Sequence, residues 1–561
     1  MSPLTFDDAG AVEWDEEADV VVVGFGGAGA SAALQARESG AEVILVDRFG
    51  GGGTTSYSGG VIYAGATRFQ REAGFNDTVE EMLAYLKLEV GDAVRPETLR
   101  RFCAGSAADV DWLIAHGVRY ASDAYLEKTT YPPEGKFLYY SGNEKSPAFA
   151  AKATPAPRGL RAVGAGFGGA HYIAALRRAI QDEGIALLAH TRVSRLVCDA
   201  GGAVIGVEVF QLAADKQAEQ QALYEKVSPY VPHNHRRTDR ALAAMTALEQ
   251  RHARRRLIRA RGGVVLATGG FAYSRGLLDT FSPEVARHYK AIQRLSTMGN
   301  DGGGLSMGMS VGGAVAHMDS LYIARNIAPP EALLEGVLVN RSGERFVSED
   351  AYVSLIGGEV ARQPGGDAWL LVNAGCFWRS VSDALTCGWQ RFTYFGLPML
   401  VNYLLGGTRR GGTAEAAARR IGVDPARLAA TVREHDDDIA AGRPDRVGKM
   451  EALRRPIGRG PIYAINMSMR NRHALTKLMT LGGLKVDEET GDVLTDGGAP
   501  IRGLYAAGMC AAGLHSNGYI SGLSLADGVF SGRRAGRSAA AQATGNHAKA
   551  AAGRRPAKAR G

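Results

Sequence analysis

Residues Asp19–Asp47 read DVVVVGFGGAGASAALQARESGAEVILVD. Asp19–Val23 is a short apolar run rich in β-branched residues, of the kind that forms a buried strand, and VILV just before Asp47 is a second. Between them Gly24, Gly26 and Gly29 complete a GxGxxG pattern and lead into an alanine-rich helical stretch. The three glycines differ in what they permit. Gly24 allows a tight turn, Gly26 lets a pyrophosphate approach the backbone, and Gly29 lets the helix lie close to the strands. Gly27 and Ala28 open the helix, whose first N–H groups and positive dipole end suit phosphate. Asp47, at the end of the second strand, is placed to accept hydrogen bonds from a ribose. Strand, glycine turn, helix, strand and acid in this order predict a dinucleotide site.

Three more glycine-edged segments extend that site. GGGGTTSYSGG (50–60) follows the acid directly. Simple NAD-dependent dehydrogenases seldom need a second glycine loop there, whereas a chain passing along the pyrophosphate and flavin ring of FAD does. Arg48, Gly53, Thr54, Thr55, Ser58, Gly59 and Gly60 are therefore candidate FAD contacts. RGGVVLATGG (261–270) reads as a strand ending on Ala267, Thr268 and Gly269, and GLYAAG (503–508) as another ending on Gly508. A last helix begins near Ser524 and Leu525, with its positive end toward the flavin. The fold class is α/β: a Rossmann-like FAD-binding domain with an inserted α+β capping domain for substrate. The expected division is 1–299 and 476–545 for the FAD-binding domain and 300–475 for the cap. A charged helical insert is expected over 213–260 and a disordered basic tail over 546–561.

Composition agrees with this and excludes other classes. The chain has 561 residues, 45% hydrophobic and 22% charged, which suits large globular domains rather than a disordered chain. Its 74 glycines, against a background of about 7%, form no collagen-like period. Five cysteines include no CxxC pair and no His/Cys cluster, which predicts reduced thiols and no metal site. The acidic start MSPLTFDDAG has no apolar core, so no signal peptide is expected, and no apolar run is long enough to span a bilayer. A cytoplasmic location is expected. The +7 net charge is concentrated at 236–261 and 533–560, without a recognition motif, so nucleic acid is not an expected partner. The insert 213–260 admits two readings. One is a solvated helical hairpin or oligomer contact; the other is a peripheral foot on the inner face of the membrane. The foot would place Arg254, Arg255, Arg256 and Arg259 at headgroups with Tyr230, Leu257 and Ile258 beneath.

Ordered blocks along residues 17–545 resemble the fumarate reductase/succinate dehydrogenase flavoprotein superfamily: GGTTSYSGG, VVLATGGF, GNDGGGLSMGMSVGGA, VLVNRSGERFVSED, LGGLKVDEETG, and GLYAAG followed by SLADGVFSGRRAG. Dicarboxylate enzymes of that superfamily hold substrate carboxylates with a His and an Arg. Here those positions carry Met479, in MTLGG, and Tyr519, in YISGLSL. Both anion grips are absent, so a dicarboxylate is not expected. The loop Asn517–Gly522 (NGYISG) is similar instead to that of 3-ketosteroid dehydrogenases, in particular the Δ4-(5α) type. That type carries a catalytic Tyr-x-Ser there and a second tyrosine in a Glu-Asp-x-Tyr block, here Glu349-Asp350-Ala351-Tyr352. The Δ1 type has Tyr-Pro-Gly-Ala-Gly at the loop, from which Ile520-Ser521 departs.

The resemblance implies an FAD-dependent oxidoreductase that acts on a CH–CH group of a steroid and passes electrons to an external acceptor. It would introduce a C4–C5 double bond by transferring hydride to flavin N5 and removing the α proton through a Tyr519, Ser521 and Tyr352 relay. The Gly522 N–H would bind the substrate carbonyl. Alternatives are Δ1-dehydrogenation, reduction of another apolar enone, and a non-catalytic flavin scaffold. Tyr139 and Tyr140 are further pocket or core candidates. Arg345 is read as a partner of Glu349 or Asp350. His317, His473 and His515 are read as structural. With no His in Thr54–Ser58, the flavin is expected to be non-covalent. The sequence sets no oligomeric state.

Overall fold

The computed structural model describes residues 2–7, 12–227, 229, 235–290, 292–458, 460–474 and 476–553. Strand β1 (Glu16–Val23), helix α1 (Gly27–Glu38) and strand β2 (Val43–Val46) form the expected unit, with β1 and β2 parallel. Val20 and Val22 on one side of β1 and Val21 and Val23 on the other are all buried, because elements cover both faces of the sheet. Helices α2 (Ala214–Glu225) and α3 (His235–His252) precede the long strand β3 (Ala253–Leu266). In the segment after residue 300 lie α4 (Val353–Arg362), α5 (Ala374–Thr386) and α6 (Leu397–Leu405). Strand β4 (Pro500–Ala506) and helix α7 (Leu523–Gly553) close the chain.

Strand β3 organises the nine-stranded sheet. Its first half pairs antiparallel with Val204–Leu212, and its second half runs parallel to β1 and β4. The ends of β1, β3 and β4 thereby come together, each followed by one of the glycine-edged turns. Helix α7 packs along α1 through small residues: a Cβ on Gly532 or Gly536 would meet the backbone of Ala28 or Ala32. The 300–475 segment carries its own four-stranded antiparallel sheet, Val337–Asn340, Ala368–Asn373, Ile462–Asn466 and Arg409–Gly411. It is joined to the rest by a three-stranded sheet of Gln293–Arg294, Thr476–Thr480 and Leu321–Arg325.

Two expectations fail here. The helical insert ends at His252, and the arginines assigned to a membrane foot lie on β3. There the acids of neighbouring strands face them: Arg255 meets Glu208 at 2.5 Å, Arg256 meets Glu16 at 2.6 Å and Arg259 meets Glu17 at 3.6 Å, while Leu257 and Ile258 are buried. Tyr230 lies outside the described residues. The helix pair does not stand off the domain, because Tyr224, Ala241 and Met245 bury themselves against Phe49 and Met298. The second failure concerns the tail, where α7 continues through Gly553, past the expected limit at 545; residues 554–561 lie outside the described residues.

Candidate FAD and substrate site

One continuous cavity runs from Asp47 to Tyr519 and Ser521. Its edges are the first turn of α1 (Gly26, Gly27, Ala28), the Gly53–Gly59 loop, the strand ends at Gly24 and Ala267–Gly269, and Gly508. Gly522, Ser524 and Leu525, at the start of α7, line it as well. Both oxygens of Asp47 accept backbone N–H groups at 2.8 Å, from Phe25 and from Phe49. Burial raises its pKa, and those bonds oppose the rise. The carboxylate is thus fixed in place with lone pairs left for a ribose. Thr55 is held by the Gly27 N–H at 3.0 Å, and Thr54 by Asn300 at 2.8 Å, so the second glycine loop is pinned from two sides. A glycine-edged channel with amides of a helix start along its middle and a buried acid at one end fits FAD.

Two expected cofactor contacts do other work. Gly29 faces the strand: a Cβ there would sit 1.8 Å from the Gly24 carbonyl oxygen. Gly60 lies against a second helix start, where a Cβ would sit 2.2 Å from the Gly168 backbone. Neither lines the cavity. Arg48 does, but its guanidinium is engaged by Glu249 at 2.8 Å and Asp301 at 2.9 Å. Arg192, also on the wall, meets Glu249 at 3.1 Å. Tyr224 of the insert, Thr297, Asn300 and Asp301 line the cavity too, although sequence reasoning does not reach them. They come from distant parts of the chain, and no local pattern marks them.

At the opposite end the wall is apolar and phenolic. Met479 and Tyr519 both line the cavity at the two positions where carboxylate grips are missing. Among the described residues, the only cations on the cavity wall are Arg48 and Arg192, both tied to Glu249. Ser521 sits among the phenols: its Oγ lies 3.1 Å from the Tyr139 hydroxyl, and its hydroxyl acts to lower the pKa of the neighbouring Tyr352. The Tyr519 hydroxyl lies beside Ser524, and no hydrogen bond among the described residues joins it to Ser521 or Tyr352 in the expected Ser521–Tyr519–Tyr352 order. Tyr352 stands behind the wall, with its ring centroid 6.5 Å from that of Tyr519, and Tyr322 packs on Tyr519 at 4.6 Å. Burial raises the pKa of Tyr519, and that of Tyr352 well above its ordinary value; the nearby hydroxyls of Ser524 and Ser521 work against it. The Gly522 N–H has no partner among the described residues.

The phenols are held from several sides. The Tyr352 N–H donates to Asn143 at 2.6 Å, and Ser354, in the first turn of α4, donates to the Tyr519 carbonyl at 2.8 Å. Tyr140 points elsewhere, edge-on to Phe75. Arg345 pairs with Glu349 at 2.8 Å and Asp445 at 2.7 Å, the structural role expected of it. His515 is buried against Asp527 at 2.5 Å. All five cysteines are free thiols, and among the described residues no group of His, Cys, Asp and Glu could hold a metal ion.

The FAD binding domain family matches residues 19–525. A 3-oxo-5-alpha-steroid 4-dehydrogenase from Comamonas testosteroni is 35% identical over 514 residues, covering 90% of this chain and 95% of the relative. The chain belongs to the family of FAD-binding 3-oxosteroid dehydrogenases. Within that family, the crystal structure of a 3-ketosteroid-Δ4-(5α)-dehydrogenase from Rhodococcus jostii RHA1, in complex with 4-androstene-3,17-dione, superposes with a TM-score of 0.79. That structure shares 29% identity and covers 96% of this chain and 100% of its own. A 3-oxosteroid 1-dehydrogenase from Mycolicibacterium smegmatis is 25% identical over 90% of this chain and 94% of the relative. The steroid dehydrogenase family thus contains both regiochemistries, and this chain is more similar to the Δ4 members.

Proposed function

We propose that the chain is an FAD-dependent 3-ketosteroid Δ4-dehydrogenase, introducing a double bond between carbons 4 and 5 of a 3-ketosteroid. The observation that carries this reading is the substrate end of the cavity, where Tyr519 and Ser521 face an apolar wall and carboxylate-binding cations are absent among the described residues. FAD, when bound, supplies the acceptor for the hydrogen that leaves carbon 5 with its electron pair. The protein supplies the rest. The proton on carbon 4 is acidified by the neighbouring ketone, and the Gly522 N–H stabilises the developing enolate oxygen. The Tyr519 phenol takes the proton as it hands its own hydroxyl proton to the neighbouring Ser524 hydroxyl and so to solvent. Ser521, hydrogen-bonded to the Tyr139 hydroxyl and beside Tyr352, stabilises the charge that develops at this end.

The cavity wall holds no His or Cys among the described residues, which supports a non-covalently held flavin. A separate electron acceptor reoxidises the flavin. The residues 300–475 act as the cap over the substrate end. Incubation with 5α-androstane-3,17-dione and an artificial acceptor should yield the conjugated 4-ene-3-one, read by its ultraviolet band. A product desaturated at carbons 1 and 2 would transfer the assignment to the Δ1 reaction.

A further inference from the structure

The cap carries an apolar face on its outside. Nine large hydrophobic residues are exposed among the described residues, and six of them fall within 378–405: Trp378, Leu385, Trp389, Leu397, Leu404 and Leu405. Trp389 is 80% and Leu404 83% exposed, which exceeds what scattered surface leucines show. Their spacing is helical. Trp378 and Leu385 lie seven apart on α5, and Leu397, Leu404 and Leu405 form an i, i+7, i+8 stripe on α6. The two helices are braced by Phe377 against Tyr403, with ring centroids 4.9 Å apart, and by a 2.8 Å bond between Ser380 and Tyr403. The inner sides of both helices are therefore already used, and the stripes on their other sides are left exposed.

That surface is also basic. Between 374 and 412 there are four arginines and one acid, Asp383. Arg379 and Arg391 pair with Glu335 and Glu331. Arg409 and Arg410, just beyond the two exposed leucines, are exposed and have no acidic partner among the described residues. Trp and Leu with arginines at the edge are the composition of a face that sits in the headgroup region of an anionic bilayer. With the Arg379 and Arg391 pairs set aside, a second copy of this face would bring Arg409 and Arg410 toward their counterparts with Asp383 as the acid left to offset them. No helix among the described residues is long and apolar enough to cross a membrane, so such a face lies on the bilayer.

The stripe is connected to the substrate end. Between Trp389 and Leu397 the chain makes a π-helical turn, Phe392–Gly396, a distortion that often accompanies functional sites. Its Phe395 is buried in a cluster with Tyr139, the phenol whose hydroxyl meets Ser521. One segment thus presents Trp389 and Leu397 outward and Phe395 toward the phenols.

We infer that the α5–α6 face of the cap docks on an anionic membrane surface and takes the apolar substrate from the bilayer. The docking stands on the face alone; the delivery of substrate rests on the steroid reading. The test is flotation of the FAD-loaded enzyme with vesicles of equimolar phosphatidylcholine and phosphatidylglycerol. Wild type should float, less so in high salt. Trp389→Ser/Leu404→Ser/Leu405→Ser should partition about tenfold less or weaker still. Arg409→Ser/Arg410→Ser should lose the salt-sensitive part. In both variants the anaerobic flavin reduction by dissolved steroid should stay at the wild-type rate. Wild type remaining unbound, or variants floating as well as wild type, would overturn the inference. So would a wild-type dimer that the triple variant splits, because the face would then belong to a second copy. A protein that floats while no steroid reduces its flavin would uphold the docking and sink the steroid reading.

Discussion

Replacing Ser521 with alanine separates chemistry from packing at the substrate end. The hydroxyl is the hydrogen-bond partner of one buried phenol, Tyr139 (0% exposed), and lies beside a second, Tyr352 (4%), so its loss leaves Tyr139 without its bond. An orphaned buried hydroxyl costs about 1–3 kcal/mol, so Ser521→Ala should be destabilised by about that much. If the hydroxyl also stabilises the charge that develops as the carbon 4 proton leaves, flavin reduction should fall by about two orders of magnitude or more. The decisive comparison adds Tyr139→Phe and Tyr352→Phe to Ser521→Ala. All three polar groups are then gone, no orphan remains, and stability should recover most of the loss. Turnover should not recover. Thermal melts and anaerobic stopped-flow reduction, each on flavin-loaded protein, read the two quantities separately. Activity that returns with stability in the triple variant would show that these hydroxyls only hold the wall together.

Other consequences follow from positions away from the phenols. Gly29→Ala should abolish FAD retention on gel filtration, since its Cβ would fall 1.8 Å from the Gly24 oxygen and α1 must swing away from β1. Normal flavin content in that variant would contradict the tight helix–strand contact. Glu208 is held down to about pKa 2, against a burial cost, by hydrogen bonds from Arg195, Ser194 and Arg255. A depressed carboxyl stabilises the fold above its unfolded pKa and loses that contribution as pH falls through the folded value. Glu208→Gln should therefore melt lower than wild type at neutral pH, with the gap closing between about pH 4.5 and 2. A gap that persists at the acid end would assign the effect to packing instead. Acid precipitation should leave all the flavin in the supernatant; yellow colour retained in the pellet would show a covalent link.

The nucleotide half of the fold is legible because its information is local. Strand, glycine turn, helix and acid sit within Asp19–Asp47, and each residue type follows from what a phosphate or a ribose needs at that spot. The end of the insert is illegible for the opposite reason. RRRLIRAR scans equally well as a charged helix or as an alternating strand, and the choice is made by Glu208, Glu16 and Glu17 on neighbouring strands. Those acids become partners only once the sheet is assembled. Gly60 shows the same limit: its position does require a glycine, but the close neighbour is Gly168 rather than the cofactor. At the substrate end, Tyr519, Ser521 and Tyr352 are reached through resemblance to the Tyr-x-Ser and Glu-Asp-x-Tyr blocks. Tyr139, on a two-residue strand, carries no pattern linking it to a serine 382 positions away, so only the folded chain identifies it as the third phenol.

The central claim is that the phenolic, cation-free end of the cavity desaturates the C4–C5 bond of a saturated 3-ketosteroid. Anaerobic mixing of the flavin-loaded enzyme with 5α-androstane-3,17-dione, and separately with androst-4-ene-3,17-dione, tests it most directly. The account predicts that the saturated ketone bleaches the visible flavin band and the enone does not. Bleaching by the enone alone would contradict it and make the chain a Δ1-dehydrogenase on the same scaffold.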